Sequence, residues 1–314
     1  MNILILGGCG YVGSKLVYNF SIDKKFKIKV IDTQWFGNNI SHLKKVKFIK
    51  KDIRNLDNSD FKNIDSVIHL ANIANDPAAD LNQVLSWEVN VLSTKLILDL
   101  CIKNKVKQII YASSGSVYGV KKEKKVTENL DLVPISIYNK TKMIAERILL
   151  SYKNQIKVHI IRPATVCGFS PRMRLDLSVN MLTFQALKNN LITVFGGSQI
   201  RPNIYVDDLV SIYRLFVEKK IIPTGIYNAG FENLSIMKIA KIISSKTKAK
   251  IKITESNDPR SYRLDSSKLL NVGFAPKYNI TYAIDELINM YNNKLIRENK
   301  TSYTVNWMKK LKIK

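Results

Sequence analysis

The sequence predicts an α/β protein built on a doubly wound parallel sheet. Short runs rich in isoleucine and valine alternate with stretches of helical length over the first two-thirds of the 314 residues. Such runs are typical of strands that are buried on both faces of a parallel sheet. A glycine-rich loop follows the first run directly, as in the strand–loop–helix units that make up these sheets.

The predicted elements follow the chain in a regular order. We predict strands at 2–6, 27–32, 46–49, 66–71, 108–113 and 158–162, and helices at about 11–20, 81–104 and 139–152. After Arg162 prolines interrupt this alternation, and we predict shorter helices at about 179–188, 208–218, 235–245 and 282–293. We therefore expect a domain over residues 1–165 with some later segments interleaved, a smaller lobe mainly over 166–293, and a basic C-terminal tail over 294–314.

The composition is strongly basic, with a formal net charge of +25 from 50 Lys and Arg against 25 Asp and Glu. Such a charge is compatible with nucleic acid, a lipid surface or a phosphorylated metabolite as partner. The basic residues are spread along the chain, so we favour a solvated basic surface and predict no nucleic-acid or membrane partner. Without a long apolar stretch, a leader pattern or metal-type cysteine spacing, we expect a cytoplasmic protein that holds no metal.

The glycine-rich loop reads Gly7-Gly8-Cys9-Gly10-Tyr11-Val12-Gly13 and lies between the first predicted strand and helix. Gly7 allows the tight turn, Gly10 lets the backbone approach a pyrophosphate, and Gly13 lets the helix pack on the strand. Asp32 ends the next strand, where its carboxylate can accept both hydroxyls of a ribose and would repel a 2′-phosphate. The pattern therefore favours NAD over NADP as cofactor.

A second motif, Tyr138-Asn-Lys-Thr-Lys142, places two reactive side chains four residues apart on one predicted helix face. A free tyrosine titrates near pH ~10, which is too high for a base at neutral pH. The charge of Lys142, together with that of an oxidised nicotinamide, would favour the phenolate. The pair therefore indicates proton transfer beside a nicotinamide ring.

Together these motifs resemble the extended short-chain dehydrogenase/reductase family, in particular its NAD-dependent nucleotide-sugar epimerase/dehydratase branch. The resemblance covers nearly the whole chain and implies a Rossmann-type sheet with a smaller C-terminal substrate-binding lobe. It assigns Ser114 to a hydrogen bond with the reacting sugar oxygen, Tyr138 to acid/base catalysis and Lys142 to the nicotinamide ribose. It implies cofactor contacts at Gly7, Gly10, Tyr11, Val12, Gly13, Asp32, Asp52, Ile53, Leu70, Ala71, Asn90, Tyr138 and Lys142.

The same resemblance implies a substrate site for a nucleotide-diphosphate sugar, made of Ser116, Thr165, Asn180, Arg201, Arg260 and Arg174. Asn180 and Arg201 match contacts to the nucleotide diphosphate. Glu255 stands where the family usually has an arginine, and Arg260 is the candidate to replace that arginine. For Arg172 and Arg174, a position near the sugar and a loop salt bridge to Asp176 are both open.

The implied function is epimerisation at sugar C4: Tyr138 takes the hydroxyl proton, hydride passes to NAD, and it returns to the opposite face of the keto sugar. Family members that eliminate water carry Asp-Glu where this chain has Gly115-Ser116, which disfavours 4,6-dehydration. Two alternatives remain: a nucleotide-sugar 4-dehydrogenase or 4-ketoreductase, and a non-catalytic RNA- or protein-binding relative. The family also implies a homodimer formed through the two long helices, and polysaccharide precursor synthesis as the setting.

Overall fold

The structure is a computed structural model that describes residues 1–256 and 261–311. Its strands are β1 (Asn2–Leu6), β2 (Lys27–Asp32), β3 (Lys47–Lys50), β4 (Ser66–His69), β5 (Gln108–Ala112), β6 (Lys157–Pro163), β7 (Thr165–Cys167), β8 (Leu191–Phe195), β9 (Ile200–Tyr205), β10 (Gly225–Ala229), β11 (Glu232–Ser235) and β12 (Lys250–Thr254). Its α-helices are α1 (Tyr11–Ser21), α2 (Asn58–Phe61), α3 (Asp76–Asp80), α4 (Gln83–Trp87), α5 (Ser93–Lys103), α6 (Ile137–Ser151), α7 (Ser178–Asn189), α8 (Val206–Glu218), α9 (Ile236–Thr247), α10 (Ser267–Asn271), α11 (Ile280–Asn292) and α12 (Thr304–Leu311).

The main sheet has seven parallel strands in the order β3-β2-β1-β4-β5-β6-β10. This confirms the predicted doubly wound sheet, to which β10 adds an edge strand from much later in the chain. The strand order reverses between β1 and β4. In such sheets the crevice outside the carboxyl ends at this reversal is where ligands bind.

Both faces of this sheet are buried. In β1, Ile3 and Ile5 belong to a core that includes residues of α1 and α8, whereas Leu4 and Leu6 belong to a core that includes residues of α5 and α6. Successive strand side chains point to opposite faces, so a strand covered on both sides needs apolar residues at every position. This requirement explains the continuous apolar runs in the sequence.

The long helix predicted at 81–104 is interrupted. Asn82 accepts a hydrogen bond from Leu85 N at 3.0 Å and so begins α4 at Gln83, while the preceding residues form the separate helix α3. A π-helical turn at Glu88–Leu92 joins α4 to α5. That turn contains Asn90, whose side chain bonds outside its own helix, as described below.

The second lobe has its own sheets and core. Strands β11-β9-β7 form one sheet and β12-β8 another, and α7, α9 and α11 contribute to the third hydrophobic core. Because β7 begins two residues after β6 ends, the lobe starts at the carboxyl edge of the main sheet. None of the helices in the described part of the chain is both long and apolar enough to cross a membrane.

Candidate active site

A cavity of about 490 Å³ opens at the carboxyl ends of the main sheet, beside the second lobe. It has two walls. The sheet wall consists of the loops after β1, β2, β4 and β5 together with the start of α6. The outer wall consists of the loop between β7 and α7, residues 168–177, and of α12.

The glycine loop forms the floor of the cavity below β1. Gly7 has φ +85°, and a Cβ there would lie 2.6 Å from Ala71 N, so the loop packs directly on the backbone after β4. A Cβ on Gly13 would lie 2.2 Å from Gly7 O, which is too close for any other residue. The N-cap residue of α1 is Gly10, so no side chain caps the first turn of the helix. The glycines thus leave a bare helix N-terminus facing the cavity, as a pyrophosphate requires.

Asp32 is held in place at the end of β2. Its two carboxylate oxygens accept hydrogen bonds from Cys9 N at 2.9 Å and from Gln34 N at 2.7 Å. The pKa of Asp32 is raised, because the effect of burial is larger than the opposing effect of these two amide hydrogen bonds. Each oxygen keeps acceptor capacity for a ribose hydroxyl. The glycine cradle and this oriented acceptor fit the adenosine and pyrophosphate parts of NAD.

The predicted reaction residues meet on the sheet wall. Ser114 caps a 3₁₀ turn, Gly115–Tyr118, and its hydroxyl lies 2.8 Å from that of Ser116. The hydroxyl of Ser116 donates to Asn139 Oδ1 at 2.6 Å. The Ser114 side chain lies close enough to Tyr138 to lower the pKa of its phenol.

Lys142 follows Tyr138 by one turn of α6 and is buried. Its ammonium donates to Ala112 O at 2.5 Å and lies 5.8 Å from the centroid of the Tyr138 ring. Burial lowers the pKa of Lys142 to about 7, although Glu146 opposes this shift. Burial also raises the pKa of Tyr138 to about 12, while Ser114 and Arg174 lower it. Among the protein's own groups, desolvation therefore outweighs the charge that was expected to favour the phenolate.

The outer wall carries two arginines. Arg174 Nε donates to Asp176 Oδ1 at 2.8 Å, so the loop salt bridge is present. Arg174 also lines the cavity, and its contact with a substrate stays a prediction. Arg172 is buried, with its guanidinium 4.1 Å from the centroid of the Phe36 ring. Burial lowers the pKa of Arg172 to about 9, and the charge of Arg174 lowers it further.

The family model for the NAD dependent epimerase/dehydratase family matches residues 3–230. The chain belongs to this family. The resemblance drawn from the glycine loop and the Tyr138–Lys142 pair is thereby confirmed, and the family description names the predicted cofactor.

Individual members of the family are similar over most of the chain. The uncharacterized UDP-glucose epimerase YtcB of Bacillus subtilis (strain 168) is 30% identical over 77% of this chain and 81% of its own length. A UDP-glucose 4-epimerase of Lactobacillus helveticus is 27% identical over 88% and 93%. The crystal structure of UDP-glucuronic acid 4-epimerase from Bacillus cereus, in complex with UDP-glucuronic acid and NAD, has a TM-score of 0.85 at 28% identity and covers 94% of this chain and 100% of its own.

Most of the predicted site residues of this family member do line the cavity: Gly7, Gly10, Tyr11, Val12, Gly13, Asp32, Asp52, Ile53, Leu70, Ala71, Ser114, Ser116, Tyr138, Lys142, Thr165, Arg174 and Arg201. Asn90 and Asn180 are not among the described lining residues. Arg260 lies outside the described residues.

Asn90 and Asn180 use their side chains to hold nearby elements. Asn90 accepts from Ile73 N at 2.8 Å and donates to Thr141 Oγ1 at 3.1 Å, so it ties the loop after β4 to α6. Asn180 accepts from Gly168 N at 2.9 Å and donates to Tyr11 Oη at 3.1 Å. The Asn180 amide thus joins the loop after β7 to the glycine loop, and its contact with a diphosphate stays a prediction.

Sequence motifs do not identify several other residues that line the cavity. The additional lining residues include Trp35, Phe36, Asn72, Asp76, Tyr262, Thr304 and Met308. Trp35 and Phe36 closely follow Asp32, and this closeness is the one signal that could have identified them. Thr304 and Met308 come from the C-terminal segment, far along the chain from every motif.

A buried ion pair behind the reaction residues was also not predicted. Arg162 donates to both carboxylate oxygens of Glu146, at 2.9 and 2.6 Å. Ser113 donates to the same carboxylate, and Arg162 NH1 donates to the hydroxyl of Tyr118 at 2.7 Å. Glu146 lies one turn after Lys142, so this network fixes the helix that carries the reaction residues.

Proposed function

We propose that this protein is an NAD-dependent nucleotide-sugar 4-epimerase. The main support is that Ser114, Tyr138 and Lys142 line the same cavity as the glycine loop and Asp32. Relatives named as UDP-glucose epimerases, and a UDP-glucuronic acid 4-epimerase with a closely similar fold, agree with this activity. A UDP-sugar is therefore the proposed substrate class.

In this proposal, Tyr138 takes the proton of the sugar C4 hydroxyl and Ser114 holds the same oxygen by a hydrogen bond. The glycine loop and Asp32 would hold NAD, which would supply reversible hydride transfer at C4 when bound. Because burial raises the pKa of Tyr138 to about 12, its phenolate needs nearby positive charge. Arg174 lines the same cavity and lowers the pKa of Tyr138, and Lys142 adds positive charge in its protonated form. We also propose that Lys142 binds the nicotinamide ribose.

The part of the cavity wall between β5 and β7 carries small side chains. Ala112, Ala164 and Thr165 all line the cavity and are small. A keto sugar that has to present its opposite face needs such room. We therefore propose that these residues leave space for the sugar to turn over, while Arg174 and Arg201 hold the diphosphate by charge-assisted hydrogen bonds.

The site does not favour dehydration. Gly115 carries no side chain, and a Cβ there would lie 2.9 Å from Leu264 Cδ1 and 3.3 Å from Pro163 O, so a larger residue would require the Leu264 side chain to shift. The hydroxyl of Ser116, at the next position, is bonded to Asn139. An acid and a base for water elimination are therefore not supplied by these two positions, and epimerisation is the better-supported reaction.

We further propose a homodimer formed through α4–α5 and α6. Val84 and Leu92 lie on the first of these helical segments and are 70% and 64% exposed, so they are available for packing against a partner. Light scattering at working concentration tests this, and a monomer of 35.8 kDa would contradict it.

The function is tested by denaturing the purified protein, identifying any released dinucleotide by mass, and incubating intact protein with UDP-sugars. The expected result is bound NAD, a new C4 epimer and no net reduction of NAD. Stoichiometric reduction of added NAD would instead identify a dehydrogenase. Failure to convert any sugar, combined with salt-sensitive RNA binding, would favour the non-catalytic alternative.

A further inference from the structure

The C-terminal helix α12 lies against the cavity and has no role in the reaction described above. Thr304 and Met308 are one turn apart, are buried and line the cavity. Asn306, Lys309 and Lys310 are exposed on the other side of the helix. Because residues four apart share a helix face, Thr304 and Met308 form the face of α12 that lines the cavity, whereas Asn306, Lys309 and Lys310 are exposed.

One end of this contact reaches the cofactor side of the cavity. Trp307 Nε1 donates to Trp35 O at 2.5 Å, and Trp35 is three residues after Asp32. Met308 belongs to the same hydrophobic core as Ala78 of α3, in the region after β4. The helix thus bridges the loops that follow β2 and β4, on either side of the glycine loop.

The other end reaches the outer wall. Thr304 N donates to Asp176 Oδ2 at 3.0 Å, and Thr304 Oγ1 accepts from Arg172 at 3.1 Å. Asp176 is also the partner of Arg174. A single helix therefore contacts both the segment that follows the ribose acceptor Asp32 and the loop that carries the proposed substrate arginine.

We propose that α12 is a retaining element of the dinucleotide site, which covers bound NAD and has to move away before NAD can exchange. Epimerisation needs such an element, because the same cofactor molecule takes the hydride and has to return it. The helix is joined to the cavity rim by a few hydrogen bonds and one buried face, so it can open at a lower cost than the sheet wall. The need to retain the cofactor rests on the proposed function, whereas the position of α12 follows from its contacts.

The test compares release of NAD from the full-length protein and three variants. Trp307→Ala removes the ring and its hydrogen bond, Trp307→Phe removes mainly the hydrogen bond, and Asn306→Ala changes an exposed residue of the same helix as a control. Each protein is loaded with NAD, and release is followed by exchange for a fluorescent NAD analogue. Thermal unfolding without NAD shows that each variant is folded.

We expect release to be about tenfold faster in Trp307→Ala, as for a loss of about 1.4 kcal/mol of closed-state stability. Trp307→Phe should lie between this variant and wild type, and Asn306→Ala should match wild type. A folded Trp307→Ala protein that releases NAD at the wild-type rate overturns the inference. If that variant does not fold, an unchanged rate in Trp307→Phe overturns it. A wild-type protein that binds no NAD contradicts the proposed function itself.

Discussion

Two arginine–carboxylate pairs flank the cavity, and they differ in how many hydrogen-bond donors remain available to a ligand. Behind the sheet wall, Arg162 and Glu146 share two hydrogen bonds, and both side chains are 2% exposed. In the outer wall, Arg174 and Asp176 share one hydrogen bond and are 12% and 19% exposed. No described residue accepts a hydrogen bond from the terminal nitrogens of Arg174.

The difference separates a pair that supports the fold from one that is available for binding. The polar atoms of the buried pair are satisfied within the protein, so it can position α6 but cannot bind a substrate. The outer pair orients a guanidinium whose remaining donors are available at the cavity. Sheet-wall substitutions should therefore affect chemistry and stability, whereas outer-wall substitutions should affect ligand binding.

The largest effect is expected from Tyr138→Phe in the sheet wall. Loss of the acid/base group should lower kcat by about 10²–10⁴-fold, with folding and NAD binding retained. Steady-state turnover and titration with NAD measure this. Tyr18→Phe, at a tyrosine that is 50% exposed on α1, is the matched control. A Tyr138→Phe enzyme with wild-type kcat would show that Tyr138 is not the acid/base group.

Removing one charge of each pair compares the two walls directly. Glu146→Gln leaves Arg162 buried without its counter-ion and should lower the free energy of unfolding by about 3–5 kcal/mol. Asp176→Asn makes the same chemical change in the outer wall and should cost only about 0.5–1.5 kcal/mol. Urea unfolding measures both variants, and equal losses would show that the two pairs are equivalent in stability.

Lys142 should make the stability of the sheet wall depend on pH. Its pKa is lowered from 10.5 to about 7 by burial, so above pH 7 the unfolded chain holds a proton that the folded protein has released. The free energy of unfolding should therefore rise between pH 7 and 9.5, by up to about 3 kcal/mol relative to Lys142→Met.

The measurement is urea unfolding of dinucleotide-free wild type and Lys142→Met at several pH values. Below pH 7 both states of the wild-type protein carry the proton, so the difference between the two proteins should be constant there. A difference that falls as the pH rises would mean that Lys142 is stabilised as a cation, contrary to the effect of its burial.

A smaller effect than that of Tyr138→Phe is expected from Arg174→Gln in the outer wall, and it should be confined to substrate binding. Loss of hydrogen bonds from a charged group should raise KM for the UDP-sugar about 10-fold or more, with little change in stability. Arg147→Gln, at an exposed position of α6, is the control. An unchanged KM would mean that Arg174 serves only as the partner of Asp176.

The sequence identified most of the sheet wall because its function depends on local patterns. Gly7 and Gly13 have to lack a side chain, Asp32 has to end a strand, and Tyr138 and Lys142 have to share a helix face. Each requirement involves residues close together in the chain or a fixed spacing. The interruption of the helix at 81–104 was missed, because the π turn depends on contacts of Asn90 with residues from other elements.

By itself, the sequence determined the doubly wound sheet, the family and the cofactor, because periodicity and short motifs encode them within a few residues. Only the tertiary structure showed three features. Arg162 and Glu146 are fully buried whereas Arg174 and Asp176 are partly exposed. Asn180 bonds to Gly168 and Tyr11, and α12 lines the cavity. Several of these contacts join segments more than a hundred residues apart: Trp307 bonds to Trp35, Thr304 to Asp176 and Asn180 to Tyr11. Such contacts arise from packing between distant elements and leave no local pattern in the sequence.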